Sequence, residues 1–105
     1  MWINLNSLID YIILGDVIID DETLKKFAYV NISSYRVKVM KTLKDDVKIP
    51  TVIAKDCDIV PNHISKVLSE LKDVGAVECL NEEAKRGRLY RLTSLGDEIA
   101  DNLKD

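Results

Sequence analysis

Ile64, Val67, Leu68 and Leu71 fall on one face of a helix, and four residues later Gly75 interrupts the pattern. Beyond Gly75 the period becomes extended. Ala76 to Leu80 and Leu89 to Leu92 read as two strands, joined by the charged segment Asn81 to Arg88 with Gly87 as its one permissive backbone position. A helix that must bury a stripe and then feeds directly into a hairpin excludes most all-helical and most all-strand folds. Pro61 suits the first turn of this helix because its missing N–H would have no intrahelical partner there, and Gly75 suits a left-handed stop. The helix is expected over Asn62 to Asp73.

The segments on either side extend the pattern. Ser33 or Ser34 caps a helix that turns Val37, Val39, Met40 and Leu43 inward and Arg36, Lys38, Lys41 and Lys44 outward, ending near Lys44. After a turn at Asp45-Asp46, Lys48-Ile49 is extended, because Pro50 disfavours helix at the residue before it. Pro50 or Thr51 then opens a helix holding Val52, Ile53 and Ala54, and Cys57 to Val60 forms a compact link. Thr93 caps a final helix through Ile99 and Leu103. At the start, Leu5, Leu8, Ile9 and Ile12 share a helical spacing stopped by Gly15, which predicts a helix over 5–14. Val17-Ile18-Ile19 is too short to assign, and Asp20-Asp21-Glu22 opens a helix over 21–30 with Leu24, Phe27 and Ala28 inward.

With 105 residues, 47% of them apolar, the chain suits one globular domain with room for one additional element. No run approaches the roughly 20 apolar residues that span a bilayer, and Met1-Trp2-Ile3-Asn4 lacks the basic start of a secretory signal, so a cytoplasmic location is expected. Cys57 and Cys79, with one histidine, fit neither a disulfide framework nor a tetrahedral zinc site, and both are expected to be structural. There is no glycine-rich phosphate loop and no nucleophile motif, so no catalytic residue, metal or cofactor is expected and the chain does not read as an enzyme. Trp2, Tyr11, Tyr29 and Tyr35 fit a core or an interface better than a small-ligand site.

Net charge is −3, which at first argues against a polyanionic partner. The distribution changes that reading. Met1 to Val30 holds five acids and two lysines, and Asp97 to Asp105 holds four acids and one lysine, which leaves the centre, 31–96, at +3.

The order helix, short strand, helix, tight turn, helix, strand, charged loop, strand, helix resembles the winged helix-turn-helix transcriptional regulators. It is most similar to small archaeal regulators related to the arsenical-resistance and multiple-antibiotic-resistance repressor families. The residues carrying the resemblance are Ser34-Tyr35-Arg36, Pro50 to Lys55, Asn62 to Leu71, Gly75 to Leu80 and Gly87 to Gly96, about two thirds of the chain. It implies a mainly α fold with a small β-hairpin (α+β) and a winged helix-turn-helix domain over 31–105, while residues 1–30 lie outside it and read, from their spacing, as a helical extension. Residues 1–30 are too few to fold alone and too apolar to stay solvated, so burying Leu5, Ile9, Ile12, Leu24 and Phe27 against a second copy is expected. A homodimer suits a palindromic DNA site.

In such a fold, short polar side chains near the start of the second helix of the motif reach base edges in the major groove. Asn62, His63, Ser65, Lys66 and Ser69 are those side chains, with Asn62 suited to adenine and Lys66 to guanine or phosphate. Lys72 lies late enough to favour phosphate. Lys85, Arg86 and Arg88 form a wing tip that can follow the backbone or enter a narrow minor groove, and Arg36 and Thr51 are further backbone candidates. Each of these residues also fits a simple solvated face, and Glu82 and Glu83 would repel phosphate. The expected partner is double-stranded DNA, with no small-molecule effector assigned. The competing reading is a protein-interaction module in a transcription or other assembly, which the acidic ends favour.

Overall fold

The computed structural model describes residues 11–14 and 17–103. Its elements are β1 (Tyr11–Leu14), β2 (Val17–Asp20), α1 (Asp21–Asn31), α2 (Ser34–Thr42), α3 (Pro50–Cys57), α4 (Pro61–Asp73), β3 (Val77–Cys79), β4 (Tyr90–Leu92) and α5 (Ser94–Asp101). The described residues form a winged helix-turn-helix of the α+β class, as expected. α2, α3 and α4 are the helical core, and the β3–β4 hairpin is the wing.

Side chains set the helix boundaries where caps are present. The Asp20 carboxylate accepts from the Thr23 N–H at 2.7 Å, the Ser33 hydroxyl from Arg36 N–H at 3.3 Å, and the Thr93 hydroxyl from Gly96 N–H at 3.0 Å. α3 and α4 instead begin with Pro50 and Pro61 and have no side-chain cap. At the end of α4, Gly75 adopts φ +80°, its N–H reaches the Lys72 carbonyl at 3.0 Å and the Ala76 N–H reaches Leu71 at 2.9 Å, closing the helix in a Schellman turn. Asp58 takes the same left-handed role after α3, with φ 55°.

The core is one cluster. Val39, Met40, Leu43, Ile53, Ile64, Leu71, Val77 and Ile99 are essentially inaccessible to solvent, and Val67 and Leu68 complete the apolar stripe of α4. Cys57 is buried, whereas Cys79 is only half-buried, with its Sγ 3.7 Å from Asn81 Oδ1.

Two results differ from the expectations. The helix expected over 5–14 is, at residues 11–14, the strand β1, paired antiparallel with β2 so that Tyr11 faces Asp20 and Leu14 faces Val17. The remainder of that helix, 5–10, lies outside the described residues. β-branched side chains at Ile12, Ile13, Val17, Ile18 and Ile19 favour an extended backbone, and this outweighs the helical spacing of a few leucines. In addition, Phe27 on α1 packs against the core of its own chain, so at that position no second copy is needed to bury it.

Lys48 bridges the last strand on its free side. Its N–H donates to the Tyr90 carbonyl at 3.1 Å and its carbonyl accepts from Tyr90 N–H at 2.9 Å, while Tyr90 faces Cys79 on the other side. The Lys48 ammonium reaches Thr42 Oγ1 at 2.9 Å and Asp56 Oδ2 at 2.8 Å, joining the wing's root to the ends of α2 and α3.

Candidate nucleic-acid interface

The buried stripe on α4 leaves an outward stripe of equal regularity. Asn62, Ser65, Lys66 and Ser69 recur at i, i+3, i+4 and i+7, and all four are exposed. The side chains of Asn62, Ser65 and Ser69 donate and accept no hydrogen bond among the described residues, so their polar groups are free for an external partner. His63 is exposed beside this stripe and lies against Tyr35 of α2, with ring centroids 5.7 Å apart. Thr51, at the second position of α3, is also exposed.

The wing is a built loop. The Asn81 side chain accepts from Leu89 N–H at 2.7 Å and donates to the Gly87 carbonyl at 3.2 Å, closing the base. The Arg88 guanidinium donates to the carbonyls of Ala84 and Glu82 at 2.7 and 2.9 Å, fixing the turn between them. Gly87 has φ +66°, a backbone state in which a side chain is strained. Between α4 and the wing runs a groove of about 360 Å³, lined by Ser65, Ser69 and Lys72 on one side and Lys85 and Arg88 on the other.

Three of the cations that sequence reasoning assigned to DNA have partners inside the protein. Arg36, only 13% exposed, stacks its guanidinium 3.7 Å above the Tyr29 ring, donates to the Tyr29 carbonyl at 2.8 Å and approaches Glu70 of α4 at 3.3 Å. It therefore links α1, α2 and α4 and does not present a free charge to phosphate. The Arg88 head group is engaged by the wing backbone, and the Lys72 ammonium is paired with Glu82. By contrast, Lys66, Lys85 and Arg86 form no ion pair among the described residues, and neither does Lys55, exposed on α3. Lys55 was missed in the sequence. Its signal was an exposed position one helical turn after Thr51, with which it lines the groove leading into the α3–α4 turn.

Among the described residues, no cluster of His, Cys, Asp and Glu is arranged to hold a metal, and no helix is long and apolar enough to cross a membrane. Cys57 is pushed above the ordinary thiol range by burial first and by the Asp56 carboxylate second, with Lys48 and Lys38 opposing the rise.

The class this geometry defines is the winged helix, and solved structures place it more closely. A MarR family transcription regulator superposes with a TM-score of 0.63 at 18% identity, over 78% of this chain and 56% of its own. ZitR of Lactococcus lactis gives 0.59 at 20% identity, over 66% of this chain and 48% of its own. Staphylococcus aureus MepR, solved as a complex with DNA, gives 0.60 at 16% identity, over 77% of this chain and 68% of its own. The chain thus has the fold of MarR-type winged-helix regulators and spans about half the length of the first two. No protein-family model and no curated protein matches the sequence.

Proposed function

We propose that the protein is a sequence-specific double-stranded DNA-binding transcriptional regulator, with α4 in the major groove and the 81–88 wing on the backbone or in the minor groove. One observation carries this reading. Among the described residues the outward stripe Asn62, Ser65, Lys66 and Ser69 forms no side-chain hydrogen bond or ion pair, and its Ser65 and Ser69 share a groove with the wing, whose Lys85 and Arg86 form no ion pair there. An amide and two hydroxyls can read base edges, while the free cations supply the sequence-independent attraction to phosphate. Asn62, His63, Ser65, Lys66 and Ser69 are the proposed base-facing residues, and Thr51, Lys55, Lys85 and Arg86 the proposed backbone contacts. Arg36, Lys72 and Arg88 are left out of that set because their charges are engaged within the protein.

The protein acts in the cytoplasm as a homodimer on a two-fold symmetric site, a reading supported by the resemblance to dimeric repressors. Binding to mixed-sequence duplex DNA across a salt series tests the function. A linear fall of log affinity with log salt is expected, whereas no binding at low salt refutes DNA binding and leaves the protein-interaction reading. Selection of bound fragments from random duplexes then identifies the site.

A further inference from the structure

The wing carries two adjacent carboxylates, and the structure treats them differently. Glu83 is exposed and forms no ion pair or hydrogen bond among the described residues. Glu82 pairs with the ammonium of Lys72 on α4. Arg88 pins the carbonyls of Glu82 and Ala84, and Asn81 closes the loop base from Leu89 to Gly87, so the backbone that carries Glu82 is held by contacts other than the pair itself. Lys72 lines the same groove as Ser65, Ser69 and Lys85, where a DNA backbone would run in the proposed complex.

We infer that Glu82 is a specificity-determining residue: its carboxylate occupies Lys72 in place of a phosphate, so that DNA gains this cation only by displacing Glu82. The inference rests on the DNA-binding reading. Any duplex offers phosphates, so a cation held back by the protein's own carboxylate lowers affinity for every sequence. A site that also satisfies Asn62, Ser65 and Ser69 holds one of its phosphates in fixed register against Lys72, which lines the same groove, and so puts it in the carboxylate's place. A random site does not. Glu82 thereby widens the gap between correct and incorrect sequences by weakening the incorrect ones, which is how discrimination by repulsion works.

The test uses the full chain, a mixed-sequence duplex and the best duplex from the selection, each titrated over a salt series. Glu82→Gln is expected to tighten mixed-sequence binding by about three- to tenfold and to steepen its salt slope by about 0.9, the increment of one further phosphate contact. The selected duplex gains less. Glu83→Gln removes the same formal charge and is expected to leave the slope unchanged. Adding Lys72→Gln to Glu82→Gln is expected to abolish the gain. An equal gain from Glu83→Gln, or a gain that survives Lys72→Gln, overturns the inference, as does an unchanged Glu82→Gln beside a wild type that binds. If neither wild type nor Glu82→Gln binds at low salt, the DNA-binding reading itself falls, and the inference with it.

Discussion

Gly96, in the first turn of α5, lies against the main chain of Ala76 at the start of the hairpin, so close that a Cβ on Gly96 would overlap the Ala76 carbonyl oxygen and crowd Leu92 Cβ at 3.2 Å. The same Ala76 carbonyl accepts from Thr93 N–H at 3.0 Å. Gly96→Ala must therefore push α5 off the hairpin, and a loss of about 1–3 kcal/mol in urea denaturation is expected. Gly75→Ala meets no atom nearer than 3.9 Å and carries only the left-handed backbone penalty, about 1–2 kcal/mol. The informative result is mechanical: Gly96→Ala alone should weaken hydrogen-exchange protection across both α5 and β4.

Arg36 distinguishes a structural cation from a phosphate contact. Arg36→Lys keeps the charge but loses the planar stack on Tyr29 and the two-sided reach to the Tyr29 carbonyl and Glu70. Expected is a stability loss of about 1 kcal/mol with an unchanged salt slope of DNA binding. A shallower slope at full stability would restore Arg36 to the DNA contacts.

Base readers and backbone contacts should separate by sequence dependence. Lys85→Ala with Arg86→Ala is expected to weaken binding to every duplex and to flatten the salt slope by about two. Asn62→Ala should instead lower affinity for the selected site by about 1–3 kcal/mol and change mixed-sequence binding little. Fluorescence anisotropy on the two duplexes reads both. Equal loss on both duplexes for Asn62→Ala would remove it from base reading.

Cys57 provides a pH signature. Burial and Asp56 raise its folded pKa, so the stability it contributes is fully present below the ordinary thiol value of about 8.5 and is lost as pH rises through the folded value. The unfolded thiol ionises first and draws the equilibrium toward unfolding. Wild type should therefore lose stability above that pH more steeply than Cys57→Ala, as measured by urea midpoints across the alkaline range. In the folded protein at pH 8, iodoacetamide should modify the half-buried Cys79 well before Cys57.

Much of the fold was legible because its signals are local. The stripe Ile64, Val67, Leu68 and Leu71, the stop at Gly75, the prolines at 50 and 61 and the caps at Ser33 and Thr93 act within a few residues of themselves, and each stands where spacing puts it. The error at residues 11–14 arose from weighting period over side-chain type. Two β-branched runs separated by Gly15-Asp16 carry a hairpin signal that the leucine spacing obscured. The site was legible in outline only. That Arg36, Lys72 and Arg88 are internally engaged depends on partners 7, 10 and 4–6 residues away that only the folded backbone brings into reach. Charge counting treats every cation as equal, whereas the fold decides which of them remain available.

Tyr90 stands opposite Cys79 in the hairpin and exchanges both of its backbone hydrogen bonds with Lys48 on the other edge. The wing is thus a cantilever clamped at its butt. Its root is tied through Lys48 to Thr42 of α2 and Asp56 of α3, so a displacement of the root is shared with the ends of both helices.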